Sequence, residues 1–184
     1  MDRGTILAVS CVAALSSCAT TRISAPSKST SPVEIRFAKG LLKTVSPGPD
    51  WTVRADAVVV GNDGSMTKYH LVFVQPRTES MIGVIVYPTK NASPAMMADR
   101  MRDAISAGGA VPGDISFSAD DSSAGFPFTM VAIGAPVGAG KVATKRLSDA
   151  LSAAVISTWL ASSPGDEKAA DAVAAGLALA ASQE

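Results

Sequence analysis

The sequence predicts an α+β fold: an antiparallel β-sheet of about six to seven strands packed against two main helices as an α/β/α sandwich. Apolar residues alternate at a period of two in short runs bounded by turn residues, and helical spacing is confined to two segments. The order is strands, helix, strands, helix rather than a strict β-α alternation, so the sheet is expected to be antiparallel.

From Val33 onward the chain reads as short strands. WTVRADAVVVG places Trp51, Val53, Ala55, Ala57 and Val59 on one face, with Arg54 and Asp56 on the other, as a half-buried strand requires. Asn62, Asp63 and Gly64 supply the positive-φ residues of a tight hairpin, and KYHLVFVQP returns as its partner. A turn over 76–80 leads to MIGVIVYP, which is apolar on both faces as a central, doubly covered strand should be. The three form a meander.

Ser93 and Pro94 predict a helix start, an N-cap followed by proline at the first position. Met97, Met101, Ala104 and Ile105 recur at helical spacing until Gly108 and Gly109 end the element. ISFSADD, FPFTMVAIG and KVATKRLS predict further strands, connected over 122–125 and 138–140. AAVISTWLAS suits a strand or a helix; β-branched Val155, Ile156 and Thr158 beside Trp159 favour the strand. Ser163 and Pro164 then open an alanine-rich helix with Val173, Ala174, Leu177 and Ala181 as its buried stripe.

The 184 residues suffice for one domain plus a tail, and 47% hydrophobic content is enough for a sizeable core. Sixteen basic side chains against sixteen acidic ones leave no net field to gather nucleic acid, and 5% aromatics leave few stacking platforms for single strands. Nucleic acid is not an expected partner.

Both cysteines, Cys11 and Cys18, lie near the N-terminus. Arg3, an apolar run over 6–15 and small Ser16 and Ser17 read as a signal peptide, the run being far shorter than the roughly 20 residues of a membrane span. Leu15-Ser16-Ser17-Cys18 resembles the lipobox of bacterial lipoproteins, whereas Cys11 has Ala8 where a larger aliphatic residue is wanted. The resemblance implies cleavage between Ser17 and Cys18 and acylation of Cys18, so that 1–17 is a lipoprotein signal peptide. Ala19, where retention in the inner membrane would want Asp, points to an outer-membrane lipoprotein facing the periplasm. The alternatives are an ordinary secretory signal with a stray cysteine, or a core helix, and for location another membrane of the envelope or secretion. Residues 18–32, rich in Ser, Thr and Pro, form a lipid-anchored flexible tether with a random-coil reach of roughly 20 Å, and 33–184 form a single α+β domain.

Phe37, SPGPDW ending at Trp51, the helix from Pro94, the strand from GFPF to VAIG, the hairpin at Gly138 and the ending through Trp159 and Ser163-Pro164 resemble the PsbP-like and DcrB-like α/β/α sandwich over 33–182. That resemblance implies a binding or assembly protein more than a catalyst, since its members include envelope lipoproteins and an extrinsic subunit of a photosynthetic complex.

Motifs with chemical potential are few. GAPVGAGKVATKRL, residues 134–147, looks like a phosphate loop, but a Walker A motif would need glycine where Ala135 stands and Ser or Thr where Val142 stands. A strand-like pattern follows, where phosphate binding wants a helix N-terminus, so the segment is expected to be a hairpin and no nucleotide to bind. His70 is the single histidine, on a face with Lys68, Val72 and Val74; a hydrogen-bonded strand histidine is expected, with a carboxylate or methionine partner brought in by folding as the alternative. Met96, Met97 and Met101 could suggest copper(I), yet Met97 and Met101 sit one turn apart as core residues and Met96 points elsewhere. Asp120-Asp121 lacks the alternating ligands of a calcium loop and fits a solvated turn. Asn91-Ala92-Ser93 matches a glycosylation pattern, but Pro94 follows and a lipobox implies a bacterium, so a helix start is the better account.

The expected function is that of a lipid-anchored bacterial cell-envelope protein, non-enzymatic, binding or supporting an envelope protein partner at the periplasmic membrane surface. No cofactor and no metal are expected. The alternative is a periplasmic carrier of a small apolar ligand or lipid.

Overall fold

The computed structural model of the chain describes residues 33–60, 66–87, 93–163 and 166–181. The expected signal peptide, with Ser17 and Cys18, and the expected tether lie outside the described residues, as do Asn62, Asp63, Gly64, Asn91, Ala92 and Pro164.

A small hairpin comes first. Strands β1 (Glu34–Phe37) and β2 (Leu42–Val45) pair from Glu34↔Val45 to Phe37↔Leu42, turning through Ala38, Lys39 and Gly40 at positive φ. Phe37 and Leu42 point inward and are fully buried.

Next comes the predicted meander of β3 (Thr52–Val60), β4 (Met66–Gln75) and β5 (Ser80–Tyr87). Helix α1 (Pro94–Ala107) starts where the sequence placed it: the Ser93 hydroxyl accepts a 3.1 Å hydrogen bond from the Met96 amide, satisfying one orphan donor of the first turn. Gly109 at φ +86 follows its end. Two short edge strands, β6 (Val111–Pro112) and β7 (Ser116–Phe117), lead to the long hairpin of β8 (Ser123–Ala132) and β9 (Ala135–Ser148), and then to β10 (Leu151–Leu160). The segment 151–160 is a strand, as its β-branched residues favour. It returns to pair with β5 on one side and β9 on the other, joining both halves into one antiparallel sheet in the order β3-β4-β5-β10-β9-β8-β6, with β7 also on β8. Helix α2 (Glu167–Gly176) and β11 (Ala178–Leu179) close the chain, β11 adding to β2 as a third strand of the small sheet.

Alternation along the central strands fixes the layers. Ala153 and Val155 of β10 join Leu71, Phe73, Ile82, Val84 and Val86 in a core closed by Phe37, Leu42, Val173 and Leu177 from the small sheet and the α2 segment. Ile156, one step out of phase, packs with Phe126, Phe128 and Val142 against Ala98 and Ile105 of α1. The helices therefore cover opposite faces of the sheet.

Several expectations need correction. The main sheet has eight strands rather than six to seven, and a second, three-stranded sheet accompanies it. The 122–125 and 138–140 connections are not turns for the most part: Ser123 and Gly125 lie in β8 and Gly138 and Gly140 in β9, while the β8–β9 turn falls at Ile133 and Gly134. Of ISFSADD only Ser116–Phe117 pairs, because the chain turns over 119–122. Val53 is exposed rather than inward, since a register irregularity between Val53 and Ala55 breaks the alternation on this edge strand. The last helix begins at Glu167, not at Ser163-Pro164, and stops at Gly176, so Leu177 and Ala181 lie beyond it. Gly176 sits so close to Val45 that a Cβ there would meet it at 3.0 Å, and pairing with β2 draws Ala178 and Leu179 into extended form. Tertiary pairing outweighs alanine propensity here.

Candidate functional site

The glycine-rich segment is the first place to look for chemistry, and its geometry is that of packing. Gly138 and Gly140 share the α1 face of β9 with Val142. A Cβ on Gly140 would overlap the Phe128 ring and stand 2.5 Å from the Ser157 carbonyl oxygen; one on Gly138 would run into the Met130 methyl and stand 2.5 Å from the Trp159 carbonyl oxygen. The glycines make room for Phe128 and Met130 on the neighbouring strand. Lys141 turns to the opposite face, where its Nζ donates to Asp171 Oδ1 of α2 at 2.8 Å in an exposed ion pair. A strand continues past it, so no helix N-terminus stands ready for a phosphate.

The other sequence candidates separate in space. His70 is buried on β4, opposite Ala57 of β3 and Ile85 of β5. Among the described residues no three His, Cys, Asp or Glu side chains come together as a metal-binding group. Met97 is 4% exposed and Met101 packs against the α1 core, whereas Met96 is 49% exposed, so the three do not converge. Asp120 and Asp121 occupy an exposed turn with Asp121 at φ +53. Hydrogen bonds from the Ser118 and Ser122 side chains, with help from the Ser122 amide, pull the Asp120 carboxyl down to about 2.

The structure also assembles a polar cluster that spacing did not reveal. Asp166 Oδ2, just before α2, accepts from Thr78 Oγ1 and from Ser80 Oγ, both at 2.6 Å, and the two hydroxyl oxygens stand 3.1 Å apart. Ser80 is fully buried. A hydroxyl beside a carboxylate resembles half of a hydrolytic triad, but no imidazole stands between them to take the proton, so the cluster ties the β4–β5 turn to the start of α2. Residues 86 and 88 positions apart gave no local signal.

Tyr87, half-buried at the end of β5, has its phenol pushed above the usual 10.0 by burial, with Arg100 of α1 pulling the other way. Glu34 on β1 is held below its usual value by hydrogen bonds from Arg36 and then Lys43.

Two surface features remain as candidate contact sites. An open cleft of about 300 Å³ lies along β7, β8 and β9, with Phe117, Gly125, Pro127, Lys141 and Ala143 in its lining. Its hydroxyls are already committed, Ser116 Oγ donating to the Gly125 carbonyl at 3.0 Å and Ser118 Oγ accepting from the Ser123 amide at 3.0 Å, and Phe117 is 57% exposed. The second is the tip of the β8–β9 hairpin, where Ile133 stands fully exposed. Exposed apolar residues of this kind are candidate contact surface. Cys18 and Ser17 lie outside the described residues, and no described helix is long and apolar enough to cross a membrane.

No protein-family model and no curated protein matches the chain. Among solved structures, the solution structure of cyanobacterial PsbP (CyanoP) from Synechocystis sp. PCC 6803 superposes with a TM-score of 0.56 at 12% identity, covering 90% of this chain and 99% of that one. At that identity the likeness speaks for the fold: the chain carries a PsbP-like α+β architecture, built around an antiparallel sheet larger than its sequence suggested.

Proposed function

We propose that this chain is a lipid-anchored protein of the bacterial cell envelope, held at the periplasmic face of a membrane through acylated Cys18, with a non-enzymatic binding or assembly role. The observation that carries the proposal is Leu15-Ser16-Ser17-Cys18 directly after a short apolar run, followed by a polar tether and then a folded α+β unit. Several acyl chains on one cysteine anchor stably, each buried methylene contributing about 0.8 kcal/mol. The PsbP-like fold supports a docking role, as do apolar surface features whose polar neighbours are already paired.

The carrier alternative needs an apolar pocket between sheet and helix. Val173, Leu177, Ala98 and Ile105 fill the described sheet–helix contacts, and the cleft at β7–β9 is open to solvent, which favours docking. Palmitate labelling and membrane fractionation of the full chain, compared with Cys18→Ser, test the proposal. Both should be lost in the variant; label or membrane association that persists without Cys18 overturns it. A pull-down from membranes with the acylated form then identifies the partner.

A further inference from the structure

The β8–β9 hairpin ends in a two-residue turn with Ile133 at φ +51 and Gly134 at φ +75. Such turns favour Asn-Gly or Asp-Gly, because the first position tolerates a left-handed backbone poorly unless its side chain is small and polar. A β-branched residue there is a true outlier, and strain of this kind persists where something else is gained from it. Ile133 gains nothing within the fold, since it is fully exposed.

Its surroundings point the same way. Residues 126–140, FPFTMVAIGAPVGAG, contain no charged side chain and one hydroxyl, Thr129. Gly134, Ala135 and Pro136 are exposed beside Ile133, and Val131, Ala132 and Val137 are half-exposed. The ladder runs to the last pair, Ala132↔Ala135, with one register irregularity between Met130 and Val131, and Pro136 has no N–H to leave unpaired, so most of the tip's backbone is paired as it projects.

We propose that this hairpin tip is a membrane-contact element that seats Ile133 and Pro136 in the interfacial region of a lipid bilayer. The inference rests on the anchored reading above. A protein partner would be expected to find aromatic, arginine or hydrogen-bonding anchors, and 130–140 offers none. A bilayer requires only apolar side chains on a backbone whose polar groups are already paired. A small wedge of this kind holds weakly alone and suits a protein with a second membrane attachment. Acylated Cys18 would be that second attachment.

The test places an environment-sensitive nitrobenzoxadiazole dye on Ala135→Cys of the full chain, with Asp103→Cys on exposed α1 as control, on vesicles of phosphatidylethanolamine and phosphatidylglycerol. A blue shift with quenching by doxyl lipids at 135, absent at 103 and lost in Ile133→Asp, is the expected result; aspartate tolerates the left-handed turn, and circular dichroism checks the fold. No shift at 135 as vesicles are added, an equal shift at 103, a shift that survives Ile133→Asp, or a shift seen only with solubilised membrane proteins each overturns the proposal. Intact mass of the same preparation reports acylation of Cys18 separately, so failure of the anchor and failure of the tip are told apart.

Discussion

Gly140 lies under the ring of Phe128 on the adjacent strand, with no room for even a methyl group between them. That contact explains why a segment with the look of a phosphate loop carries its glycines: they are vacancies on β9 for the aromatic and thioether side chains of β8. Gly140→Ala should destabilise the protein by about 1–3 kcal/mol through overpacking, read as a lower urea midpoint. Phe128→Ala in the same chain should relieve part of that loss, giving a coupling that two independent sites would lack.

Asp166 anchors two hydroxyls, one of them fully buried. Asp166→Ala leaves Ser80 Oγ and Thr78 Oγ1 without their acceptor and should cost about 1–3 kcal/mol. A double-mutant cycle with Ser80→Ala measures the pair, and a coupling near zero would contradict the geometry.

The helix methionines should respond unequally. Met97→Ala opens a cavity beneath α1 and should cost about 2–4 kcal/mol, whereas Met96→Ala at the surface should stay within about 0.5 kcal/mol. Similar losses at both positions in thermal or chemical melts would place the buried face of α1 elsewhere.

Two groups tie stability to pH in opposite directions. The Tyr87 phenol sits above 10.0 in the folded chain, so its neutral form is the one the fold favours; stability is full below pH 10 and falls as pH rises through the higher folded value. Tyr87→Phe should flatten that alkaline decline. Asp120 sits at about 2 against a usual 3.8, so the contribution of its charged form is present above pH 3.8 and is lost as pH falls toward 2. Asp120→Asn should remove that acid-side slope, as followed by circular dichroism across the range.

Ile133→Asn replaces a β-branched residue at positive φ with one that accepts this conformation. It should raise stability by about 1 kcal/mol, since no packing is lost at a fully exposed position. A higher melting temperature alongside weaker vesicle contact would separate what the tip does for folding from what it does outside the fold.

The sequence by itself determined what depends on neighbours along the chain. Ser93-Pro94 and Gly108-Gly109 bounded α1, since capping is a matter of three or four residues, and alternating runs placed β4, β5 and β10 in the sheet. The α+β class followed from their order. Tertiary structure decided what depends on distant partners. Glycines at 138 and 140 look like a turn in the sequence because the residues that need their space, Phe128, Met130, Ser157 and Trp159, sit on other strands. The last helix stopped early because β2 offered Ala178 and Leu179 a ladder more than a hundred residues back in the chain. The contacts of Asp166 with Thr78 and Ser80, and the exposure of Ile133, likewise arise only when strands are laid side by side. Periodicity records which face of an element is apolar; it does not record what that face meets.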